Sequence, residues 1–335
     1  MPETPLTISI ALCTFNGAQF LGKQLESLAR QTRLPMEVII GDDVSSDSTV
    51  QIAENWARTV PFEVRIHRNS QNCGYEENFN RTMRECRGDV IFPADQDDVW
   101  FPEKLETMVN FLEKNPDVGV VYCRRNLIDQ NDEPISERMT ELFQNYHPTD
   151  ASYFWDEFSK DFPDCAGCML AIRREIVRKM FPFPKPWAHD TWIYVMGPFF
   201  TKMVTLPVSL MNFRRHTSNA SALGREPDWA NGRNVYYLTS VGQFRAHTLL
   251  REELKKQLAV MPDTPYRRGY LRYLRAQEAH FGNRVKVEDH FFRYFHLAFW
   301  ELLTGRYFRH QQPFRSFLFD VKEGLLNALK NQKKT

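Results

Sequence analysis

Up to about residue 125, the chain alternates between short apolar segments typical of strands and amphipathic segments typical of helices. LTISIALCTF (6–15) and MEVIIGDD (36–43) are apolar segments, and Leu21, Leu25 and Leu28 between them follow helical spacing. FEVRIHRN, GDVIFPADQDD and VGVVYC continue the series of strand-like segments. Strand–helix alternation of this kind predicts an α/β fold with a mostly parallel sheet covered by helices on both faces.

Polar and acidic residues follow the predicted strands at the points where the strands end. These segments are CTFNG (13–17), GDDVSSDST (41–49) and DQDD (95–98). In open α/β sheets, ligands bind at the carboxyl ends of the strands. The coincidence of three such segments predicts a binding site at this edge of the sheet.

The acids of DQDD, which are Asp95, Asp97 and Asp98, suit a hard divalent cation. Mg²⁺ and Mn²⁺ prefer oxygen ligands, and Mg²⁺ often binds through one or two carboxylates plus substrate phosphates. An alternative is that Asp97 or Asp98 caps the helix that begins near Pro102. The pattern D-x-D alone does not decide between these interpretations.

Two residues at the other strand ends suit a nucleotide. A carboxylate at Asp43 can accept hydrogen bonds from a base N–H or a ribose hydroxyl. Phe15 can pack flat against a nucleobase, although an apolar residue after a strand is also a candidate core residue.

Taken in order, IALCTFNG, VIIGDDVSSDST and IFPADQDDVWFPEKL resemble the family 2 glycosyltransferases of the GT-A fold. DCAGCMLAIRREI, AHDTWIYV and NFRRHTSNAS extend the resemblance to roughly residues 6–220. The likeness is greatest to a bacterial branch with a DQDDxW signature, described as rhamnosyltransferase-like. It implies a GT-A type, Rossmann-like sheet in a nucleotide-sugar-binding and catalytic domain over residues 1–225. Residues 226–335 would then form a helical C-terminal region.

The resemblance also implies which residues bind the donor. Asp43 would hold the nucleobase, Asp95 would lie near the ribose, and Gly167 would run beside the transferred sugar, where a small residue lets the backbone approach. Glu77 departs from the family pattern, since many relatives carry a basic residue there. The donor-binding residues implied are Cys13, Thr14, Phe15, Asn16, Asp43, Asn72, Gly74, Asn78, Asp95, Gln96, Gly167 and Cys168.

The basic segment NFRRHTSN is predicted to bind the diphosphate through Arg214, Arg215, His216 and Asn219, since arginine forms charge-assisted bonds to phosphate. One alternative is a solvated basic loop, and another is that His216 is a metal ligand.

For catalysis, the resemblance assigns the metal, Mn²⁺ or Mg²⁺, to Asp97 and the role of catalytic base to Asp190 in AHDTW. A carboxylate within reach of the acceptor hydroxyl can remove its proton as the hydroxyl attacks the anomeric carbon. Inversion at that carbon follows from attack opposite the leaving diphosphate. Without the resemblance, a helix cap is the simpler interpretation of His189-Asp190.

The predicted reaction is metal-dependent transfer from a nucleotide-sugar donor, a dTDP- or UDP-sugar, to a glycan or lipid-linked oligosaccharide acceptor in surface polysaccharide synthesis. The alternatives are a nucleotidyltransferase acting on sugar phosphates and a non-catalytic nucleotide-sugar-binding module. Asn16-Gly17-Ala18 matches poorly the basic glycine-rich loop of the former. A net charge of +1 argues against nucleic acid as a partner.

The C-terminal region interleaves aromatic residues with arginines over residues 290–334, after a candidate helix cap at Asp289. This composition fits peripheral contact with an anionic inner membrane, or else the core of a helical subdomain with a solvated basic rim. The N-terminal segment lacks a basic region before its apolar run, which predicts a cytoplasmic protein.

Overall fold

The computed structural model describes residues 5–135, 166–184, 188–217 and 219, together with short stretches between 252 and 275. Contacts between Cα atoms divide the chain into two compact units, one of residues 1–149 and 164–229 and the other of residues 150–163 and 230–335. In the second unit, residues 255–259 and 267–272 are helical. The helix predicted after Asp289 lies outside the described residues.

The first unit is built on one eight-stranded sheet with the strand order β3-β2-β1-β4-β7-β6-β8-β5. Strands β3, β2, β1 and β4 are parallel and form the parallel half of the sheet. The other strands form the mixed half: β7 is antiparallel to both β4 and β6, β8 is parallel to β6, and β5 is antiparallel to β8. The strands are β1 (Ile8–Thr14), β2 (Glu37–Asp42), β3 (Glu63–Arg68), β4 (Val90–Asp95), β5 (Val99–Trp100), β6 (Val118–Ile128), β7 (Leu170–Arg173) and β8 (Lys202–Arg214).

Helices alternate with the strands through the parallel half of the sheet, as the sequence predicts. These helices are α1 (Ala18–Ala29), α2 (Thr49–Ala57) and α3 (Tyr75–Arg84), and they are followed later in the chain by α4 (Lys104–Lys114), α5 (Arg174–Met180) and α6 (His189–Met196). Helix α1 buries Leu21, Leu25 and Leu28, the residues whose spacing predicts it. Within the described ranges, no helix combines the length and the apolar composition that crossing a membrane requires.

Strand β1 pairs with β2 on one side and β4 on the other, and this register brings the three polar segments together. Cys13 lies opposite both Gly41 and Asp95, and Thr14 lies opposite Asp42. Because the three strands are parallel, the residues that follow them emerge at one edge of the sheet. The predicted site edge is therefore present in the fold.

Helix α3 packs against β2 at Gly41, where a larger residue would not fit. A Cβ atom on Gly41 would lie 2.0 Å from Thr82 Oγ1, so only glycine fits beneath this helix. Asn78 of the same helix donates from Nδ2 to the carbonyl oxygen of Gly41 at 2.7 Å. These contacts fix the start of α3 beside the carboxyl ends of the strands.

The helix-cap interpretation of Asp97 and Asp98 is wrong. Helix α4 begins at Lys104 after Glu103, and no side chain caps it. The carboxylate of Asp98 instead accepts the backbone N–H of Arg214 at 3.1 Å. Strand β5 separates the two aspartates from the helix, so their side chains face the end of β8.

Candidate active site

The side chain of Asp97 joins the loop after β4 to the loop after β8. Its Oδ2 atom lies 2.9 Å from His216 Nε2 and accepts Asn219 Nδ2 at 3.1 Å. The backbone N–H of His216 donates to Asn219 Oδ1 at 2.6 Å, and the imidazole packs against Phe20 with ring centroids 4.6 Å apart. The Asp97–His216 pair is therefore held from several sides.

This pair fits a divalent metal ion. Two ligand atoms at right angles around an octahedral ion, each about 2.1 Å from it, lie about 3 Å from one another. Asp97 Oδ2 and His216 Nε2 are bonded directly to each other at 2.9 Å, a separation that two ligands of one ion also have. A carboxylate and a neutral imidazole are suitable donors for Mn²⁺. Asp97 and His216 are thus the residues that could hold the metal.

A second group of candidate ligands, Asp95, Asp98 and Cys168, lies within 4.8 Å in the described part of the chain, but it suits a metal less well. Burial, together with the charges of Asp98 and Asp95, raises the pKa of the Cys168 thiol well above its usual range. A protonated thiol is a poor metal ligand. Burial and the charge of Asp97 raise the pKa of Asp98 to about 7. In this cluster the Cys168 thiol is protonated and Asp98 is partly protonated near pH 7, so the cluster does not require a metal ion.

Lys104 supplies a cation beside this cluster, which the sequence analysis missed. Its side chain is fully buried, and Nζ donates to the carbonyl oxygen of Cys168 at 2.5 Å and lies 3.6 Å from the centroid of the Trp100 ring. Burial lowers its pKa, while the charges of Asp98 and Asp95 act to raise it. The spacing of the sequence could have identified Lys104 as a buried residue. Lys104, Met108 and Leu112 share one face of α4, and Met108 and Leu112 are apolar.

Asp43 fixes the loop that connects β3 to α3. Its carboxylate accepts the backbone N–H groups of Cys73 and Gly74 at 2.9 Å each, and Asn69 Nδ2 at 2.9 Å. Burial alone would raise the pKa of Asp43, but the hydrogen bonds from Cys73 and Asn69 bring it below the usual value. Gly74 has a φ of 83°, which favours glycine. An ionised Asp43 thus orders this loop.

Gln96 clamps the backbone of Phe15 at the end of β1. Its Oε1 atom accepts the Phe15 N–H at 2.8 Å, and its Nε2 atom donates to the Phe15 carbonyl oxygen at 3.0 Å. A Cβ atom on Gly17 would fall 2.0 Å from Gln96 Oε1, so the glycine makes room for the clamp. The Phe15 side chain is 47% exposed, and the interpretation of Phe15 as a core residue is wrong.

Several of the predicted donor-binding side chains face the interior of the domain. Cys13 Sγ lies 3.5 Å from Thr82 Oγ1, Thr14 Oγ1 donates to Asp42 at 3.1 Å, and the amide of Asn78 is bonded to Gly41 and Asn69. Cys168 is also buried.

Other predicted donor-binding residues lie at the rim. Asn16 and Asn72 are exposed. Asn16 Oδ1 accepts the Ser46 N–H at 2.8 Å, and Asn72 Nδ2 donates to the carbonyl oxygen of Asp43 at 3.2 Å. The half-buried Arg215 donates its backbone N–H to Ile128 at 2.9 Å.

Arg214 has a different role from the predicted one. Its side chain is fully buried; Nε donates to the carbonyl oxygen of Asp97 at 2.8 Å, and Nη1 donates to that of Asp129 at 3.0 Å. A third nitrogen forms an ion pair with Asp132 at 2.6 Å. The prediction that Arg214 binds a diphosphate is wrong, because this guanidinium instead braces the loop that carries Asp97.

Asp190 lies in the first turn of α6 at the same edge. Its Oδ2 atom accepts the Gly167 N–H at 3.2 Å, and its Oδ1 atom accepts the Thr191 N–H at 2.6 Å. No side chain caps this helix, whose N-cap residue is Ala188, so the helix-cap interpretation is wrong. The charge of Asp190 contributes, after burial and the charges of Asp98 and Asp97, to the raised pKa of Asp95. The acids thus share one electrostatic environment.

His189 supports Asp190 from the interior. Its ring stacks on Phe79 with centroids 4.0 Å apart, and a Cβ atom on Gly167 would lie 2.2 Å from His189 Nε2. Neither ring nitrogen has a hydrogen-bond partner among the described residues. Burial lowers the pKa of His189, which keeps the imidazole neutral. Gly167 is therefore required by close packing against this ring.

A Rossmann-like sheet whose carboxyl edge carries these acids defines a GT-A-like α/β fold, and solved structures confirm the predicted fold. The S. aureus TarS 1-349 structure in complex with UDP-GlcNAc superimposes with a TM-score of 0.55 at 16% identity, covering 84% of this chain and 70% of that one. The mannosyltransferase PcManGT from Pyrobaculum calidifontis, in complex with GDP-Man and Mn²⁺, gives a TM-score of 0.54 at 16% identity, covering 99% of this chain and 88% of that one.

The chain belongs to Glycosyl transferase family 2, because the model of that family matches residues 9–181, more than half of the chain. An uncharacterized glycosyltransferase of Nostoc sp. is 29% identical over 219 residues, which cover 64% of this chain and 66% of that protein. The chain spans less than half of two other curated relatives, 44% and 46% of their lengths.

Proposed function

We propose that this chain is a metal-dependent, inverting glycosyltransferase that moves a sugar from a nucleotide-sugar donor to a glycan acceptor. The observation that carries the proposal is the Asp97–His216 pair, 2.9 Å apart, at the sheet edge that also bears Asp190. Family membership supports the reaction class. TarS and PcManGT, of the same fold, were solved with UDP-GlcNAc and with GDP-Man and Mn²⁺.

In this proposal the nucleoside lies between β1 and the loop that Asp43 orders. In the described contacts, Asp43 Oδ2 accepts one hydrogen bond, from Gly74, and a carboxylate oxygen can accept a second. That second lone pair accepts the base N–H, while the exposed Phe15 ring stacks on the base and Asp95 faces the ribose. Asn16 and Asn72 form the rim. A dTDP- or UDP-sugar satisfies these requirements.

The side chains that face the interior contribute in another way. Their polar atoms are bonded or buried inside the domain, so these residues support the donor site from below and do not bind the donor directly. They are Cys13, Thr14, Asn78 and Cys168. Gln96 holds Phe15 in place. Gly74 gives the loop beside the donor its backbone conformation. The space next to Gly167 is filled by His189, so the predicted approach of a sugar at the missing side chain of Gly167 is wrong.

The diphosphate lies over the end of β4. Asp97 and His216 would hold Mn²⁺ or Mg²⁺ there, and Arg215 would form charge-assisted bonds to phosphate oxygens. When bound, the metal ion stabilises the negative charge that develops on the leaving diphosphate. Asn219 orients the two ligands through its bonds to Asp97 and to the backbone of His216.

Asp190 is the general base. It accepts the proton of the acceptor hydroxyl as the hydroxyl oxygen attacks the anomeric carbon from the face opposite the diphosphate. The bond between that carbon and the diphosphate oxygen breaks, the nucleoside diphosphate leaves, and the configuration inverts. Hydrogen bonds from Gly167 and Thr191 hold the Asp190 carboxylate in position.

We further propose a surface glycan as acceptor, in lipopolysaccharide or capsule synthesis on the cytoplasmic face of a bacterial inner membrane, and rhamnose as a candidate sugar. Support for the sugar comes from DQDDVW (95–100), which resembles the signature of the rhamnosyltransferase-like branch. In this proposal residues 1–225 bind the donor and catalyse, and residues 226–335 contact the acceptor or the membrane.

The proposal is tested by incubating the protein with Mn²⁺ and UDP-glucose, UDP-N-acetylglucosamine, dTDP-rhamnose and GDP-mannose, and analysing the products by mass spectrometry. Slow release of nucleoside diphosphate from one donor is expected. Pyrophosphate formed from a nucleoside triphosphate and a sugar phosphate would identify a nucleotidyltransferase instead. Binding without turnover of any donor would identify a binding module.

A further inference from the structure

Tyr75 is an exposed aromatic residue near the candidate active site, and it has no part in the donor binding or the catalysis proposed for this chain. Among the large apolar side chains that the described residues leave exposed, only Phe15 and Tyr75 are aromatic, and Tyr75 is 45% exposed. Single exposed apolar side chains are common on protein surfaces, so the exposure of Tyr75 is informative only together with its position. Phe15 already has a predicted partner in the nucleobase, whereas no ligand has been assigned to the Tyr75 ring.

The fold positions Tyr75 on the side of the site that carries the general base. Tyr75 is the first residue of α3, and the N–H of the preceding Gly74 donates to Asp43 at 2.9 Å. One helical turn further, Phe79 stacks on His189, the neighbour of Asp190. Residues four apart share a helix face, so Tyr75 lies above this stack, between the loop at Asp43 and the start of α6.

The electrostatics of the phenol agree with this position. Partial burial of the hydroxyl and the charge of Glu76 raise the pKa of Tyr75, and the charge of Asp190, a hydrogen bond with the Glu76 side chain and the charge of Asp95 raise it further. The raised pKa keeps the hydroxyl protonated, so that it can donate to Glu76 and still accept a hydrogen bond from a ligand.

We propose that Tyr75 is the platform on which the acceptor sugar packs, with its ring against the apolar C–H face of the pyranose and its hydroxyl oxygen accepting a hydrogen bond from a sugar hydroxyl. The inference rests on the proposed function. An aromatic ring with a polar tip suits a ligand that has both an apolar face and hydroxyl groups. The acceptor is favoured over the donor because Phe79, one turn after Tyr75, stacks on His189, the neighbour of the proposed base Asp190, whereas Phe15 and Asp43 are the residues proposed to hold the nucleotide.

The test compares Tyr75→Ala and Tyr75→Phe with the wild type. The acceptor probes are octyl glycosides of glucose, galactose, N-acetylglucosamine and rhamnose, used with the donor that the wild type turns over. Tyr75→Ala should raise the acceptor KM about five- to tenfold, the loss expected for one aromatic contact. Tyr75→Phe, which keeps the ring, should raise the KM less. The Kd of UDP with Mn²⁺, measured by calorimetry, should be unchanged in both variants.

Leu34→Ala is the matched control, since Leu34 is 46% exposed and precedes β2, at the opposite edge of the sheet. An unchanged acceptor KM in Tyr75→Ala overturns the proposal, and so does an equal rise in the Kd of UDP. Binding of the same glycosides is also measured by saturation-transfer NMR without a donor. Absence of binding to the wild type, or equal binding to Tyr75→Ala, counts against the platform. A failure of the proposed function would instead appear as no nucleotide release from any donor.

Discussion

Asp97 Oδ2 and His216 Nε2 lie 2.9 Å apart although the two residues are 119 positions apart in the chain. Asp97 follows β4, in the parallel half of the sheet, and His216 follows β8, in the mixed half. Strands β7 and β6 separate them in the sheet order, so the pair exists only when both halves have folded. Metal binding at this pair would therefore report on the complete sheet.

Asp97→Asn and His216→Gln are each expected to weaken Mn²⁺-dependent binding of UDP by at least about tenfold. Loss of an outer-shell partner of a metal costs about 10- to 100-fold in affinity, and loss of a ligand should cost no less. Calorimetric titration of UDP with and without Mn²⁺ measures the effect. His67→Gln, at an exposed position of β3, is the control. Unchanged affinity in both variants would exclude this pair as the metal site.

Asp190→Asn is expected to lower the rate of sugar transfer by at least about 100-fold, within the range that general-base catalysis contributes. The amide has the size of the carboxylate but cannot accept the proton of the acceptor hydroxyl. The Kd of UDP should not change, because in the proposed site the donor is held by Asp43, Phe15 and the Asp97–His216 pair and not by Asp190. A transfer rate within a few fold of the wild type would remove Asp190 from the mechanism.

Gln96→Ala is expected to raise the Kd of UDP about three- to tenfold, since it removes both hydrogen bonds that hold the Phe15 backbone. Phe15→Ala should raise the Kd by about tenfold or more through lost base stacking. Both changes act through one ring, so their combined effect should be smaller than the sum of their free energies. Calorimetry on the double-mutant cycle measures this, with Gln19→Ala, exposed on α1, as the control. Strict additivity would show that Gln96 does not act through Phe15.

The parallel half of the fold was predictable because β1, β2 and β4 are largely apolar, β3 alternates between apolar and polar residues, and the ligand edge follows from strand direction. Cys13 opposite Asp95 and Thr14 opposite Asp42 result from register alone. The mixed half was less predictable, since β6 continues past Cys123 through two arginines. One of them, Arg125, lies 4.1 Å from the Phe213 ring, a contact between distant segments that no local pattern encodes.

The direction of individual side chains was the second feature that could not be predicted from the sequence. Arg214 and Arg215 are adjacent and identical in type, yet Arg214 is fully buried against backbone carbonyl groups and Arg215 is half-buried. Alternation along a strand decides which of the two points inward, and the phase of that alternation depends on the register of β8 with β6. The sequence alone identifies the basic segment but not the residue that faces the site.

Glu37→Gln is expected to lower the free energy of unfolding by about 1.5–3 kcal/mol at pH 7, the range for hydrogen bonds to a charged group. Glu37 is buried and bonded to Ser9 at 2.6 Å, Arg65 at 2.8 Å and Arg87 at 2.9 Å. Burial alone would raise its pKa, but the hydrogen bonds from Ser9, Arg87 and Arg65 bring the pKa below its usual value. Because the folded pKa is the lower one, the stabilisation is complete above the unfolded value of about 4.3 and is lost as the pH falls through the folded pKa.

Urea unfolding at pH 7, 5 and 3 should therefore show the difference in unfolding free energy between Glu37→Gln and the wild type shrinking at the lowest pH. Glu63→Gln, which removes an exposed partner of Arg87, should change stability by less than about 1 kcal/mol. A difference for Glu37→Gln that stays constant down to pH 3 would show that packing, and not the charge, provides the stabilisation.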